Sequence, residues 1–316
     1  DMNVTVGGTT FAERNIIGGT TIGVEMRGSL TCQNAVIGNY IGTDATGNFA
    51  SGSSSDWVIG VAVESANFNR IGGQAAGEDN LIGGLGKGIS LYGYGDDDNP
   101  IMGNRLGVNA SGAGLLPNRT GIECASGLHR GVIGGWTAAE GNLIVGGTNA
   151  IRASELGIIN FYIAGNTIRR GDGNGIYMAR RASGNFIQGN AFDSARNQIV
   201  RIDSGNGNQI RANIFTGSPG EQIFLNKKGN GNISPPKGVK AKGDTVTGKT
   251  YPNAVVEMYR YEAAGKALTP LGTAIADAKG AFAYVSPQPL KGMTIALLTT
   301  DTACNTSEFG RLIKVK

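Results

Sequence analysis

The chain has 316 residues, 53 of them Gly, with 28 Lys and Arg against 24 Asp and Glu and a formal charge of +4. Its 40% hydrophobic and 16% charged residues are too core-forming for a disordered chain, and its glycines lack the every-third-residue order of collagen. No run reaches the ~18 apolar residues that span a bilayer, and the low charge, with no recognised binding module, argues against nucleic acid as a partner.

The first element to stand out in chain order is NAVIGNYIGTDATGN, residues 34–48. Its first half returns as NRIGG from Asn69, NPIMGNRLG from Asn99, NFIQGNAF from Asn185 and NQIRANIF from Asn208. An Asn, a variable residue, an aliphatic and a Gly-Asn pair make a short strand and a tight corner. Such a unit cannot bury its own apolar side, so its recurrence means stacking.

A second element is interleaved with the first: GVEM, GVAV, GISL, GIEC, AIRA, GIYM, IVRI and QIFL. Alternation predicts strands with Val24, Val61, Ile89, Ile122, Ile151, Ile176, Val200 and Ile223 turned inward. These positions are 37, 28, 33, 29, 25, 24 and 23 residues apart, yet each is followed within eight to ten residues by a corner. The corners are Asn34, Asn69, Asn99, Gly131, Asn160, Asn185, Asn208 and Asn232. Length variation therefore lies in loops, and the seven Asn corners are expected to bond coil to coil as a ladder. The prediction is an all-β fold: a parallel β-helix of about eight coils, a rod ~40 Å long. Early coils alternate between long loops (GTDATGNFASGSSSDW, GVNASGAGLLPNRT) and IGG-flanked inserts (IGGQAAGEDNLIGG, IGGWTAAEGNLIVGG); after Ile151 the long loops vanish. Met26, Cys124, Met178 and nearby Trp136 read as core, and the three dispersed cysteines, Cys32, Cys124 and Cys304, as free thiols.

NAVIGNYIGTDATGN together with IGGQAAGEDNLIGG resembles bacterial right-handed parallel β-helix repeat proteins, over residues 1–234. Pro235 and Pro236 end the pattern, and residues 235–316 read as a small antiparallel β-sandwich with a turn at AspAlaLysGly. Its close, TTDTACNTSEFG, resembles the ATDxxGNTSEF ending of bacterial Ig-like domains, with Cys304 where that family usually has Gly. The resemblance implies a secreted or cell-surface bacterial protein. It leaves activity open, because the architecture carries polysaccharide lyases, hydrolases, epimerases, adhesins and inert stalks alike.

The outward column of the Gly-led strands is Glu25, Ala62, Ser90, Glu123, Arg152, Tyr177, Arg201 and Phe224. Glu25 and Glu123 are three coils apart, ~14 Å, which is too far for a glycosidase pair. The hydrolase set of paired Asp with a GHG loop and the Asp-Pro-His-Asp segment of epimerases are both absent, and the single histidine, His129, sits in GLHRG. Residues 169–228 hold nine Lys or Arg against four Asp or Glu. Glu123, Arg152, Tyr177 and Arg201, with Arg180 at a strand edge, form a candidate glycan-binding strip. Its Arg residues would pair uronate or sulfate and Tyr177 would stack a sugar. The plainer account is that these Arg residues only solvate an outer face.

The functional expectation is a non-catalytic adhesin, stalk or glycan-binding protein with a polysaccharide or cell-surface partner. A polysaccharide lyase is the alternative, requiring a groove over Arg152 and Arg201 and a base facing it. No cofactor is expected; weak Ca²⁺ candidates are Asp96, Asp97 and Asp98, with the GTDATGN and GDGN loops behind them. The chain opens inside a repeat, so an upstream domain or partner is expected to cap the first coil, while the sandwich covers the last.

Overall fold

The computed structural model describes residues 1–93, 98–155, 157–218 and 220–316. Eight parallel strands, Ile22–Arg27, Ile59–Glu64, Lys87–Tyr92, Thr120–Cys124, Asn149–Ala153, Asn174–Met178, Val200–Gly205 and Ile223–Gly229, form one sheet, here the groove sheet. Val24, Val61, Ile89, Ile122, Ile151, Ile176, Val200 and Ile223 lie side by side along it. The recurring glycine before these residues has a steric cause. A Cβ on Gly23, Gly60, Gly88, Gly121 or Gly175 would lie 2.5–2.6 Å from a carbonyl oxygen of the next coil.

A second sheet of eight parallel strands runs from Thr5–Gly7 to Gln209–Arg211, and a third runs from Ile16–Ile17 to Ile214–Thr216. The fold is a parallel β-helix of eight coils. Columns of Ile, Val and Leu fill its interior, with Ile71, Ile89, Ile122 and Ile163 fully buried. The long loops, residues 42–58 and 107–119, precede the groove-sheet strands of coils 2 and 4.

Asn34, Asn69 and Asn99 bond side chain to side chain at 2.9 and 3.2 Å, and Asn185 donates to Asn208 at 2.7 Å. Two expected rungs are elsewhere. Asn160 is exposed in left-handed backbone, and Phe161 takes its rung, with the Phe161 N–H donating to Asn185 Oδ1 at 2.9 Å. Phe161 is buried, and its ring fills the space beside Gly131, where a Cβ would stand 2.3 Å from a ring carbon. Asn232 is likewise exposed, and Asn230 takes that rung by accepting the Asn208 N–H at 2.8 Å. Counting from strand to corner misplaces both rungs by one or two residues, because the corner length is not fixed to the residue.

The ladder that spans the whole rod is a different one. Asn15, Asn39, Asn80, Asn104, Asn142, Asn166, Asn190 and Asn213 stand one per coil at the corner between the second and third sheets. Seven side-chain bonds of 2.9–3.1 Å join them.

The C-terminal module packs a three-stranded sheet (Lys237–Lys242, Thr245–Lys249, Ala281–Val285) against strands Ala267–Ile275, Val255–Glu262, Thr294–Thr300 and Ile313–Lys314. The latter set continues the third sheet of the β-helix through an antiparallel contact of Phe215 with Leu268. Elsewhere, side chains seal the last coil. Asn305 Oδ1 accepts the Gly207 N–H at 2.7 Å, Thr306 Oγ1 that of Ile210 at 3.0 Å and Glu308 Oε1 that of Leu225 at 2.8 Å. The Asn213 N–H, which has no ninth Asn to meet, is bonded by the Tyr259 hydroxyl. Phe215, Tyr259 and Phe309 pack edge to face or tilted within 5.0–6.2 Å beneath this seam. Cys304, at φ 64, holds the left-handed conformation that favours Gly and accepts a 3.0 Å bond from Gln209 Nε2.

The module therefore covers three strand edges that would otherwise be open for pairing. Truncation after Ser234 is expected to yield protein that self-associates at micromolar concentration, whereas the whole chain does not. Sedimentation velocity on both makes the comparison, and a monomeric truncate would show that the edge needs no cover.

A polar groove along one sheet

The outer face of the groove sheet carries Glu25, Ala62, Ser90, Glu123, Arg152, Tyr177, Arg201 and Phe224 side by side. The structure brings the strip residues together but engages them with one another. Glu123 is buried and forms an ion pair with Lys87 from the preceding coil. It also meets Arg152 Nη1 at 3.5 Å and accepts from Ser154 Oγ at 3.3 Å. Three coils beyond Glu123, Asp203 gathers a second cluster. Arg201 Nε donates to it at 2.8 Å, the Tyr177 hydroxyl at 2.8 Å and Asn226 Nδ2 at 3.4 Å. The Arg201 guanidinium lies 5.2 Å from the Tyr177 ring and 5.5 Å from the Phe224 ring, sandwiched along the column.

These contacts set the charge states. Burial opposes ionisation of Asp203, but hydrogen bonds from Arg201 and Tyr177 outweigh it and hold the carboxyl below its usual range. Burial, then the bond to Asp203, pushes the Tyr177 phenol above its usual value.

A groove of about 940 Å³ opens over coils 1 to 6 of this sheet. Its floor includes Ser90, Glu123, Arg152 and Tyr177; Asp56 and Trp57 rise on the entry side of the strands, and Ser126, Glu155 and Arg180 on the exit side. The lining carries Lys87, Arg152 and Arg180 against Asp56, Glu123 and Glu155, so its charges cancel. The basic excess expected over residues 169–228 is not gathered here, since Arg169, Arg170, Arg181 and Arg196 lie exposed outside the lining. Arg180 is exposed and makes no ion pair among the described residues, and the buried Arg152 Nε has no hydrogen-bond partner. Arg180 is free to meet an anion, whereas Arg152 offers only the part of its guanidinium that lies beyond its contact with Glu123.

Sequence reasoning missed Lys87, Asp203 and Trp57. Asp203 could have been found, being two residues beyond Arg201 on the same face of one strand. Trp57, in a loop, carries no periodic signal. Trp136 is not core: it is 66% exposed on the second sheet, edge-on to Tyr162 at 6.0 Å, and Tyr162 stacks on Phe186 at 4.8 Å.

Among the calcium candidates, Asp96 and Asp97 lie outside the described residues, and Asp98 faces Arg130 at 3.3 Å. Asp44 spends Oδ1 on the Asn48 and Phe49 N–H groups and Oδ2 on Thr46. Among the described residues no three His, Cys, Asp or Glu side chains come together as metal ligands.

The molecule is thus a parallel β-helix carrying a lateral groove and closed by an antiparallel module. Residues 234–313, which include that module, match the family described as the bacterial Ig domain. No curated protein matches the chain. A bacterial Ig domain is typical of extracellular or cell-surface proteins, and among the described residues no helix is long and apolar enough to cross a membrane.

Proposed function

We propose that this is a secreted or surface-exposed bacterial protein that binds an acid-bearing polysaccharide in its groove without cleaving it. The observation that carries this reading is the groove itself. It is open, polar and long, with tyrosine in its lining and two arginines: Arg180, exposed and without an ion pair among the described residues, and Arg152, partly exposed beside Glu123. Arg presents a planar fork that matches carboxylate and sulfate. The likeness of the repeats to β-helix proteins of bacterial surfaces and the Ig module at the far end support the same setting.

The lyase alternative needs a base facing the uronate α-proton. Both groove tyrosines are pushed towards protonation, Tyr177 by burial and Asp203 and Tyr92 by burial and Glu64, and Lys87 is held by Glu123, so none of the three is set up as a base.

The test is a panel of alginate, pectin and sulfated glycans measured by calorimetry, with absorbance at 235 nm followed for unsaturated product. At least one acidic glycan should bind, Arg152→Ala and Arg180→Ala should each weaken it about tenfold or more, and the absorbance should stay flat. A parent protein that binds none of them, or variants that bind as well as the parent, would sink the proposal; rising absorbance would establish the lyase instead.

A further inference from the structure

The two ends of the groove differ in chemistry. At coils 5 and 6 stand Arg152, partly exposed beside Glu123, and Arg180, exposed and without an ion pair among the described residues. At coils 2 and 3 stand Trp57, 80% exposed, and Tyr92. Cations near that second end are already committed: Arg27 to Glu64 at 3.0 Å and Arg119 to Asp56 at 2.8 Å. Those pairs neutralise Glu64 and Asp56 in turn, and exposed Glu25 beside them has no ion pair among the described residues, which leaves that end mildly acidic.

The loop that presents Trp57 is braced rather than loose. The Asp56–Arg119 pair ties it to coil 4, a turn closes it through Val58 N–H to Ser55 O at 2.9 Å, and Gly86 of coil 3 packs against it. A Cβ on Gly86 would stand 1.8 Å from the Ser55 carbonyl oxygen. An indole held in water on a fixed support is an uncovered apolar plane beside a polar groove. Such a plane suits the CH face of a sugar, while the acidic surround disfavours a charged one. Coil 2 and coil 5 are three rises apart, ~14 Å along the axis.

We infer that the groove is divided lengthwise, with Trp57 stacking a neutral sugar and Arg152 and Arg180 receiving an acidic one further along the same chain. The ligand class is then a heteroglycan that mixes neutral and acidic sugars. This rests on the glycan-binding reading above, and Trp57 acts as its specificity-determining residue.

The experiment uses the whole chain with Trp136→Phe, which leaves Trp57 as the sole tryptophan. Three probes are titrated: hyaluronan oligosaccharides, which alternate acidic and neutral sugars, polygalacturonate, which is wholly acidic, and cellohexaose, which is neutral. The alternating probe should bind tightest and quench or shift Trp57 fluorescence. Trp57→Ala, an exposed substitution, should weaken that probe about tenfold or more while leaving polygalacturonate within twofold. If the parent binds none of the three, the glycan-binding reading fails and this inference with it. If the parent binds but Trp57 fluorescence is unmoved, or Trp57→Ala binds all probes as the parent does, the division of the groove is overturned while the glycan reading stands. Tightest binding to either homopolymer overturns it as well.

Discussion

Replacing Asn142 by Ala is expected to lower the unfolding free energy by about 3–5 kcal/mol, although the change removes only a small buried side chain. Asn142 Nδ2 donates to the Ile101 carbonyl at 2.8 Å and to Asn166 Oδ1 at 2.9 Å, while its Oδ1 accepts from the Asn104 backbone at 3.0 Å and side chain at 3.1 Å. Deleting the amide strands donors and acceptors on the two flanking coils where water does not reach. Each buried group left unsatisfied costs about 1–3 kcal/mol, and their effects are less than additive. Leucine, which fills the volume without bonding, should fare no better. Asn160→Ala is the control. That side chain is exposed and belongs to no ladder, so its loss should stay within ~0.5 kcal/mol, apart from the altered left-handed preference. Denaturant unfolding of the three proteins decides the matter; equal midpoints for Asn142→Ala and Asn160→Ala would mean the interior ladder is dispensable.

The second large effect concerns pH and the seam between the rod and the module. Glu257 is 4% exposed, its Oε1 accepts the Ala212 N–H at 3.2 Å and lies 3.7 Å from Arg211 Nε, and the Tyr259 hydroxyl stands 3.5 Å from Oε2. Burial dominates over Arg211 and the backbone bond and pushes the carboxyl up to about 7 from 4.5. A carboxyl raised on folding is held more tightly by the native state, so native protein binds more protons than unfolded chain between these values. Its contribution is therefore complete below pH 4.5 and is lost as pH rises to 7 and beyond. The loss amounts to about 3 kcal/mol. Stability of the parent should fall between pH 5 and pH 8, while Glu257→Gln, which keeps the shape and cannot ionise, should lack that component and exceed the parent at pH 8. Subtracting the two profiles removes the contributions they share. Parallel profiles would show that Arg211 keeps the carboxylate ionised throughout.

The groove-sheet columns were legible because two periods coincide there: alternation along a strand, and a glycine forced by the close approach of the next coil's carbonyl. Together they fix register to the residue where both are present; IVRI lacks the glycine and leaves Ile199 or Val200 open in the sequence, and it is the structure that aligns Val200 with Ile176. The corner Asn residues were legible only in kind. A rung can be taken by Phe161 when Gly131 makes room for it, and a strand-to-corner count cannot see that exchange. The second ladder was equally present in the text, as the Asn of IGNYIG, GNRLG, GNLIV, GNTI and GNAF. In sequence it reads as part of the same corner, whereas the two Asn positions five residues apart face different neighbours. At the site, composition suggested a basic strip. The fold instead pairs Arg152 with Glu123 of the adjacent coil, 29 residues away in sequence, and Arg201 with Asp203 two residues along its own strand. Trp57 reaches the groove from a loop, where no period constrains it.

The long ladder bears on how the chain can organise itself in time. Partners along it are separated by 24, 41, 24, 38, 24, 24 and 23 residues, with no growth from one end to the other. The entropy lost in closing a loop rises only with the logarithm of its length, about 0.6 kcal/mol per doubling. Each new turn of the solenoid thus closes at nearly the same entropic cost as the one before. Contacts of much longer reach, such as the 98 residues between Gly207 and Asn305, are confined to the seam. Growth by accretion of turns, followed by a single distant closure, is the assembly route this distribution of loop lengths favours.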